Sequence, residues 1–268
     1  MARALLYEAV GGATGSEGMG EGTQAISVRL ARDSAEIAAA QRLRYEVFVE
    51  ELGGDGPLVD HVARLEKDRF DPFFDHLLAL DGDRVIGVYR LLREDQAKAA
   101  GQFYSEDEYD LTALRRSGRR LLELGRSCLH RDYRGGTAMF QLWQGLADYV
   151  LAHGIEVLFG TASFHGTDVE GLAGPLSFLH HRHLAPSDLR VRARAFQSMD
   201  LVPEAAIDRR QAMREIPALI KAYLRLGGCV GEGAFIDHAF NTTDVCLVMD
   251  TARMDGRQRA LYTRGSAE

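Results

Sequence analysis

The chain has 268 residues, is 46% hydrophobic and carries a formal charge of −7. That length and apolar share suffice for a sizeable core, and the acidic balance excludes a general nucleic-acid binder, which needs a basic surface. Three widely spaced cysteines without a CxxC pair, Cys128, Cys229 and Cys246, read as reduced thiols of a cytosolic protein, and no apolar run reaches the roughly 20 residues that cross a bilayer.

Residues 1–24 are glycine-rich and read as a flexible leader, 25–252 as one domain and 253–268 as a tail. Ile26 to Leu30 alternates like a strand. Ser34 then reads as the N-cap of a helix with Ile37, Leu43, Val47 and Phe48 on its apolar face, stopped after Leu52 by Gly53 and Gly54. Residues 53–69 form a polar, charged loop. His76 to Leu80 and Val85 to Leu92 flank Asp81-Gly82-Asp83, a hairpin signal. Gln102 to Leu114 reads as a short acidic helix, Leu121 to Leu129 as a strand, Ala138 to His153 as a helix closed by Gly154, and Val157 to Phe164 as a buried strand. Leu176 to His183 and Val191 to Met199 read as helices of an insertion between residues 165 and 215. Pro217 suits the first position of a helix running to Leu226, and Val230 to Asp237 and Val245 to Asp250 finish as strands around Asn241-Thr242-Thr243. The order specifies a mixed α/β fold.

The chemistry concentrates between Leu121 and Gly154. Arg131, Arg134, Gly135, Gly136 and Thr137 form a turn between strand and helix, where backbone N–H groups at the helix start can hold a phosphate. Just before it, Glu123 and Arg126 place opposite charges on an otherwise Leu/Gly/Ser/Cys strand. A charged strand feeding a phosphate cradle suggests an enzyme that handles a phosphorylated carrier.

This order resembles the GNAT-type N-acyltransferase fold. The segments RLRYEVFVEELG (42–53), FDPFFDHLLAL (70–80), GVYRLLRE (87–94), FYSEDEYDL (103–111), LELGRSCLHRDYR (122–134), LFGTASFHGTD (158–168), PALIKAYLRLGG (217–228) and FNTTDVCLVMD (240–250) resemble more closely the ornithine N-acyltransferases, which make lyso-ornithine lipid from acyl–acyl carrier protein. The first five are also similar to acyl-homoserine-lactone synthases. The usual GNAT turn is Arg/Gln-x-x-Gly-x-Gly/Ala; here Thr137 and Met139 replace small residues, which fits a carrier's single phosphodiester better than a pyrophosphate. The resemblance implies transfer of a 3-hydroxyacyl chain to the α-amine of ornithine, with no permanently bound cofactor, acyl carrier protein as partner and donor, and an apolar tunnel for which Phe48, Phe73, Phe74, Phe103 and Tyr104 are available. Other amino-acid acceptors, lactone synthesis and a non-catalytic lipid-binding protein are the alternatives. The expected location is the cytoplasm, with peripheral contact at the inner membrane.

Acyl transfer from a thioester to an amine needs a neutral amine, donors for the carbonyl oxygen and a leaving thiolate. Glu123 is the first choice of base, also suited to an ion pair with Arg126, and Asp75 is the second. Backbone N–H groups near Arg126 or Ser127, on a strand splayed from its neighbour, are the oxyanion donors. Arg44, Arg90 or Arg126 suits the acceptor carboxylate, or organises Asp75 and Glu123. Similarity to the lactone synthases gives Asp71 and Asp75 an acceptor-side role. Arg182, Arg190, Arg192 and Arg194 form a basic cluster suited to an acidic carrier or an anionic membrane surface. No metal site is expected, because adjacent histidines in His180-His181-x-His183 do not share a helix face. Cys128 reads as a buried thiol and Trp143 as core.

Overall fold

A computed structural model of the chain describes residues 26–254; the leader, and the tail beyond Met254, lie outside the described residues. In chain order the strands and helices are β1 (Ser27–Leu30), α1 (Ser34–Arg44), β2 (Asp75–Asp81), β3 (Arg84–Arg93), α2 (Glu94–Ala100), β4 (Tyr109–Asp110), α3 (Thr112–Arg116), β5 (Leu121–Leu129), α4 (Ala138–His153), β6 (Val157–His165), α5 (Ala173–His183), β7 (Arg192–Ala193), α6 (Arg209–Glu215), α7 (Ala218–Arg225), β8 (Cys229–Val230), β9 (Phe235–Asp237) and β10 (Thr242–Asp250). The described residues form two compact units, 26–91 with 126–153, and 92–125 with 154–254.

In the first unit β1, β2 and β3 form an antiparallel sheet, and the second half of β5 lies beside β3. Strand alternation decides which residues meet which helix. Leu78, Leu80, Val88 and Cys128 pack against Ala40, Leu43 and Val47, from α1 and the π-type turn Tyr45–Glu51 that continues it. On the opposite face α4 approaches so closely that a Cβ added to Gly145 would stand 2.5 Å from Val28 and 3.5 Å from Leu77. The hairpin turn falls at Gly82 (φ +58°). Asp33, not Ser34, caps α1, its carboxylate accepting the Glu36 N–H at 2.9 Å. Both residues are capping types, and the one that leaves the helix with extended backbone takes the role.

In the second unit β5 runs parallel to β6, and β10 is antiparallel to β6, β8 and β9. The registered pairs of β5 and β6 are Leu121↔Val157, Leu122↔Leu158 and Glu123↔Phe159, whereas β6 continues to His165 alongside β10. Gly160, one residue past the last of these pairs, lies so near β5 that a Cβ there would sit 2.1 Å from the Leu124 carbonyl oxygen. The core holds Phe103 edge-on to Phe159 at 5.0 Å, and Tyr109, whose hydroxyl reaches the carbonyls of Gly233 and Asp244.

Three expectations for this unit are corrected. Val191 to Met199 is extended, because Arg192–Ala193 pairs with Tyr109–Asp110 and Gln197 bridges Ala234; distant backbone partners override the local helical spacing. Gln102 to Leu114 divides into a 3-10 turn, β4 and α3. Pro217 stands at the N-cap of α7, one position before the helix proper.

Candidate functional site

Buried charge marks the site in the first unit. Gln41 and Arg44, three apart on α1, lie on one helix face, and Arg90 projects from the middle of β3. Both arginine side chains are fully buried. Charge cannot be buried without partners, and the loop leading into β2 supplies them. Arg44 Nε donates to Glu66 Oε2, and its Nη1 to Asp71 Oδ1 at 2.6 Å. Arg90 Nη1 donates to Asp71 Oδ1 and to Asp68 Oδ2, each at 2.7 Å. Arg126 on β5 donates through Nε to Glu66 Oε1 at 3.2 Å and lies 3.8 Å from Asp68, and Gln41 donates to Asp71 Oδ2 at 2.9 Å. Three guanidinium groups thus face three carboxylates. Arg90 also covers the Phe74 ring at 4.2 Å.

The electrostatics follow from this packing. Burial works against charge on Glu66, but Arg126 and Arg44 outweigh it and hold its carboxyl at about 2. Burial opposes the charge on Asp71 too, and Arg44 and Arg90 hold it well below the ordinary carboxylate range. Burial depresses the Arg44 guanidinium, and Glu66 and Asp71 more than restore it. Arg126 holds a left-handed backbone, φ +50°, inside a strand, a strain of about 1–3 kcal/mol for a residue with a side chain.

Asp75 is turned the other way. Being paired with Leu91 across the hairpin, it faces α4, where the Tyr149 hydroxyl donates to its Oδ2 at 2.6 Å. Asp71 and Asp75, read together as acceptor-side carboxylates, therefore serve opposite faces of the sheet. Phe48 is half-buried against the α1 core, and Ser127 buries its hydroxyl on β5 beyond the kink. Cys128 is sealed in that core, and burial pushes its thiol up to about 12, so it is no nucleophile.

Between β5 and α4, Arg134 donates to the Leu129 carbonyl at 3.1 Å and pairs with Glu51 at 2.8 Å; Arg131 stands 3.7 Å from the same carboxylate. Gly135 takes φ +78°, which suits glycine. The Thr137 carbonyl accepts the Gln141 N–H at 3.0 Å, so Thr137 stands at the head of α4, where first-turn N–H groups can face an anion.

In the second unit Glu123 is 1% exposed. Its Oε2 accepts the Tyr104 N–H at 2.7 Å, and its Oε1 accepts the Ser105 N–H at 2.6 Å together with the Ser105 hydroxyl. The carboxylate thereby fixes the 3-10 turn Tyr104–Asp107. Phe103 is wholly core. The basic cluster divides among different partners. Arg182 pairs with Glu204 and Arg194 donates to the Glu106 carbonyl, whereas Arg190 and Arg192 line an open cleft of about 700 Å³ with Arg116, Arg119, Asp110 and Asp188. His180, His181 and Asp200 hold ligand-type atoms within 4.8 Å of one another, with the His181 Nε2 3.1 Å from Asp200.

Sequence reasoning missed Gln41, Glu66, Asp68 and His76. The available signal was the Asp68-x-x-Asp71 spacing beside the aromatic run Phe70, Phe73 and Phe74, together with the Gln41/Arg44 pair on one helix face.

The kinked β5, the glycine turn ahead of α4 and the flanking sheet define a GNAT-type acyltransferase domain, and the family description "Acetyltransferase (GNAT) domain" matches residues 43–144. Among solved structures, the acyl-homoserine lactone synthase BjaI has the same fold, with a TM-score of 0.50 at 18% identity, covering 87% of this chain and 82% of that one. The L-ornithine N(alpha)-acyltransferase of Rhodobacter capsulatus is 65% identical over 88% of this chain and 94% of its own length. That of Brucella abortus is 45% identical over 88% of each. The chain belongs to the L-ornithine N(alpha)-acyltransferase family.

Proposed function

We propose that this protein transfers a 3-hydroxyacyl chain from the phosphopantetheine arm of acyl carrier protein to the α-amine of ornithine, giving lyso-ornithine lipid. The 65% identity to an L-ornithine N(alpha)-acyltransferase over nearly that protein's whole length carries the reading. The site chemistry supports it. Arg44 buries an Nη2 that has no hydrogen-bond partner among the described residues, a donor suited to the acceptor carboxylate, and Asp71, Glu66 and Arg90 fix that guanidinium. Arg131, Arg134, Gly135, Gly136 and Thr137 receive the donor phosphate at the head of α4.

The neutral amine attacks the thioester carbon, the Ser127 backbone N–H steadies the oxygen as it gains charge, and the thiolate departs without a covalent enzyme intermediate. Arg126 holds the kink that aims this backbone, Phe48 adds apolar wall, and Glu123 and Asp75 act as positioning residues through Tyr104–Ser105 and Tyr149. The product is an amphiphile, so the enzyme works from the cytoplasm in peripheral contact with the inner membrane; no helix among the described residues is long and apolar enough to cross one.

The test is purified protein offered matched acyl carrier protein and coenzyme A thioesters with a panel of amino acids. Preferred N-acylation of ornithine from the carrier protein is expected. Strong preference for glycine, glutamine or lysine, or free acid released without any amine, refutes the assignment.

A further inference from the structure

Attack on the thioester requires the acceptor ammonium to lose a proton to a lone pair held near its carboxylate anchor. His76 offers one. It lies on β2 directly opposite Arg90 of β3, on the face that carries Leu78 and Val88 toward α1 and Arg44. Its Nε2 is 3.1 Å from the Asp71 carbonyl oxygen. A carbonyl only accepts, so Nε2 carries the proton and Nδ1 carries the lone pair. Nδ1 is buried and has no hydrogen-bond partner among the described residues, like Nη2 of Arg44. His76 is 2% exposed and Arg44 is 0% exposed. Unsatisfied buried polar atoms are rare because each is costly. Here one is a cationic donor and the other a basic acceptor, the complement of the carboxylate and ammonium that an amino acid carries on adjacent atoms.

We propose that His76 is the general base of the reaction, taking the proton of the acceptor's α-ammonium through Nδ1. The proposal deepens the acyl-transfer reading and rests on it. The N–H bond breaks toward Nδ1 and its electron pair stays on nitrogen. That pair forms the new N–C bond as the C–S bond breaks onto sulfur. The first proton passes from the imidazole to solvent, and the second, shed by the nitrogen after attack, goes to the departing thiolate. Burial, first, and the charges of Arg44 on α1 and Arg90 on β3 lower the affinity of the ring for a proton, while Asp71 from the preceding loop raises it. The ring therefore rests neutral and gives its proton up again after each turnover. Both orphan atoms are buried, so this chemistry requires neighbouring side chains to move aside for the head group, which also opens the imidazole to solvent.

Two variants separate this role from a structural one. In His76→Gln the carboxamide N–H can still donate to the Asp71 carbonyl, but nothing stands at Nδ1; His76→Asn places its amide near Nδ1 and supplies no base. Steady-state rates of the full chain are measured against pH with ornithine and the acyl thioester that serves wild type. For wild type, kcat should reach a plateau near neutrality. For both variants it should fall about 10²–10⁴-fold at neutral pH, with KM for ornithine nearly unchanged, and then climb about tenfold per pH unit as the amine deprotonates unaided. Wild-type kcat in His76→Gln, or the same fractional loss at every pH, would overturn the proposal. So would a wild-type profile that climbs to the amine's own pKa without a plateau, a result that needs no variant to fold. Wild type that acylates a different amino acid refutes the ornithine assignment and leaves the histidine test intact.

Discussion

Asp71 in the first unit and Glu123 in the second are carboxylates shut away from water, and the molecule accommodates them by different means. Asp71 is met by two guanidinium groups brought from α1 and β3, with Gln41 as a third donor. Glu123 is met by the peptide N–H groups and hydroxyl of one short turn. The first arrangement couples distant parts of the unit, so each member depends on the rest. The second joins one strand to one loop, and its donors are neutral when their partner is lost. A buried ion facing other ions leaves stranded charge when one is removed; a buried ion facing dipoles leaves only unmade hydrogen bonds.

Substitution of Arg44 is the hardest test of that contrast. Arg44→Met keeps the length but leaves Glu66 and Asp71 short of a partner, and chemical denaturation should show a loss of about 3–5 kcal/mol. Glu123→Gln keeps the shape and turns an amide against N–H donors; a loss of about 1.5–3 kcal/mol is expected. Equal losses would erase the distinction between the two regions. Acid sharpens it further. Glu66 and Asp71 have folded pKa values below their ordinary 4.5 and 3.8, so the unfolded chain binds protons first as pH falls. Their contribution is complete above those ordinary values and drains away on acidification toward about 2. His76, held neutral, works in the same direction below its ordinary 6.5. In Arg44→Met the acid unfolding midpoint, followed by circular dichroism, should move to higher pH; an unmoved midpoint would remove Arg44 from the account. The smallest effect belongs to Tyr149→Phe, which deletes one donor to half-buried Asp75 and should cost about 0.5–1.5 kcal/mol.

The legible parts of the fold were those whose signal is local. Apolar runs and alternation marked β2, β3, β5, β6 and the later part of β10, and Asp81-Gly82-Asp83 marked the hairpin. The apolar face and closing Gly154 marked α4. The short polar helix Glu94–Ala100 was invisible by the same criterion, since its start is fixed by a Gln96 side chain returning to the Arg93 N–H. Of the site, Arg44, Arg90 and Arg126 stand out in the sequence as guanidinium groups suited to a carboxylate, the resemblance adds Asp71, and the structure joins all four. Glu66 and Asp68 were hidden because a charged loop looks solvated until partners more than 20 residues away are folded against it. Asp71 and Asp75 share an acceptor-side role only through the resemblance, and entry into a strand turns Asp75 toward the other face.

The close approach of β6 to β5 at Leu124 depends on one missing carbon. At Gly160 the Leu124 carbonyl occupies the space in which any other residue would carry its first side-chain atom. A methyl at this point would act as a wedge, prising the strands apart earlier and dragging Glu123, one residue before Leu124, away from the turn it anchors. That pairing therefore rests on a single codon, and a side chain there should lower stability and activity without changing any group proposed to meet substrate.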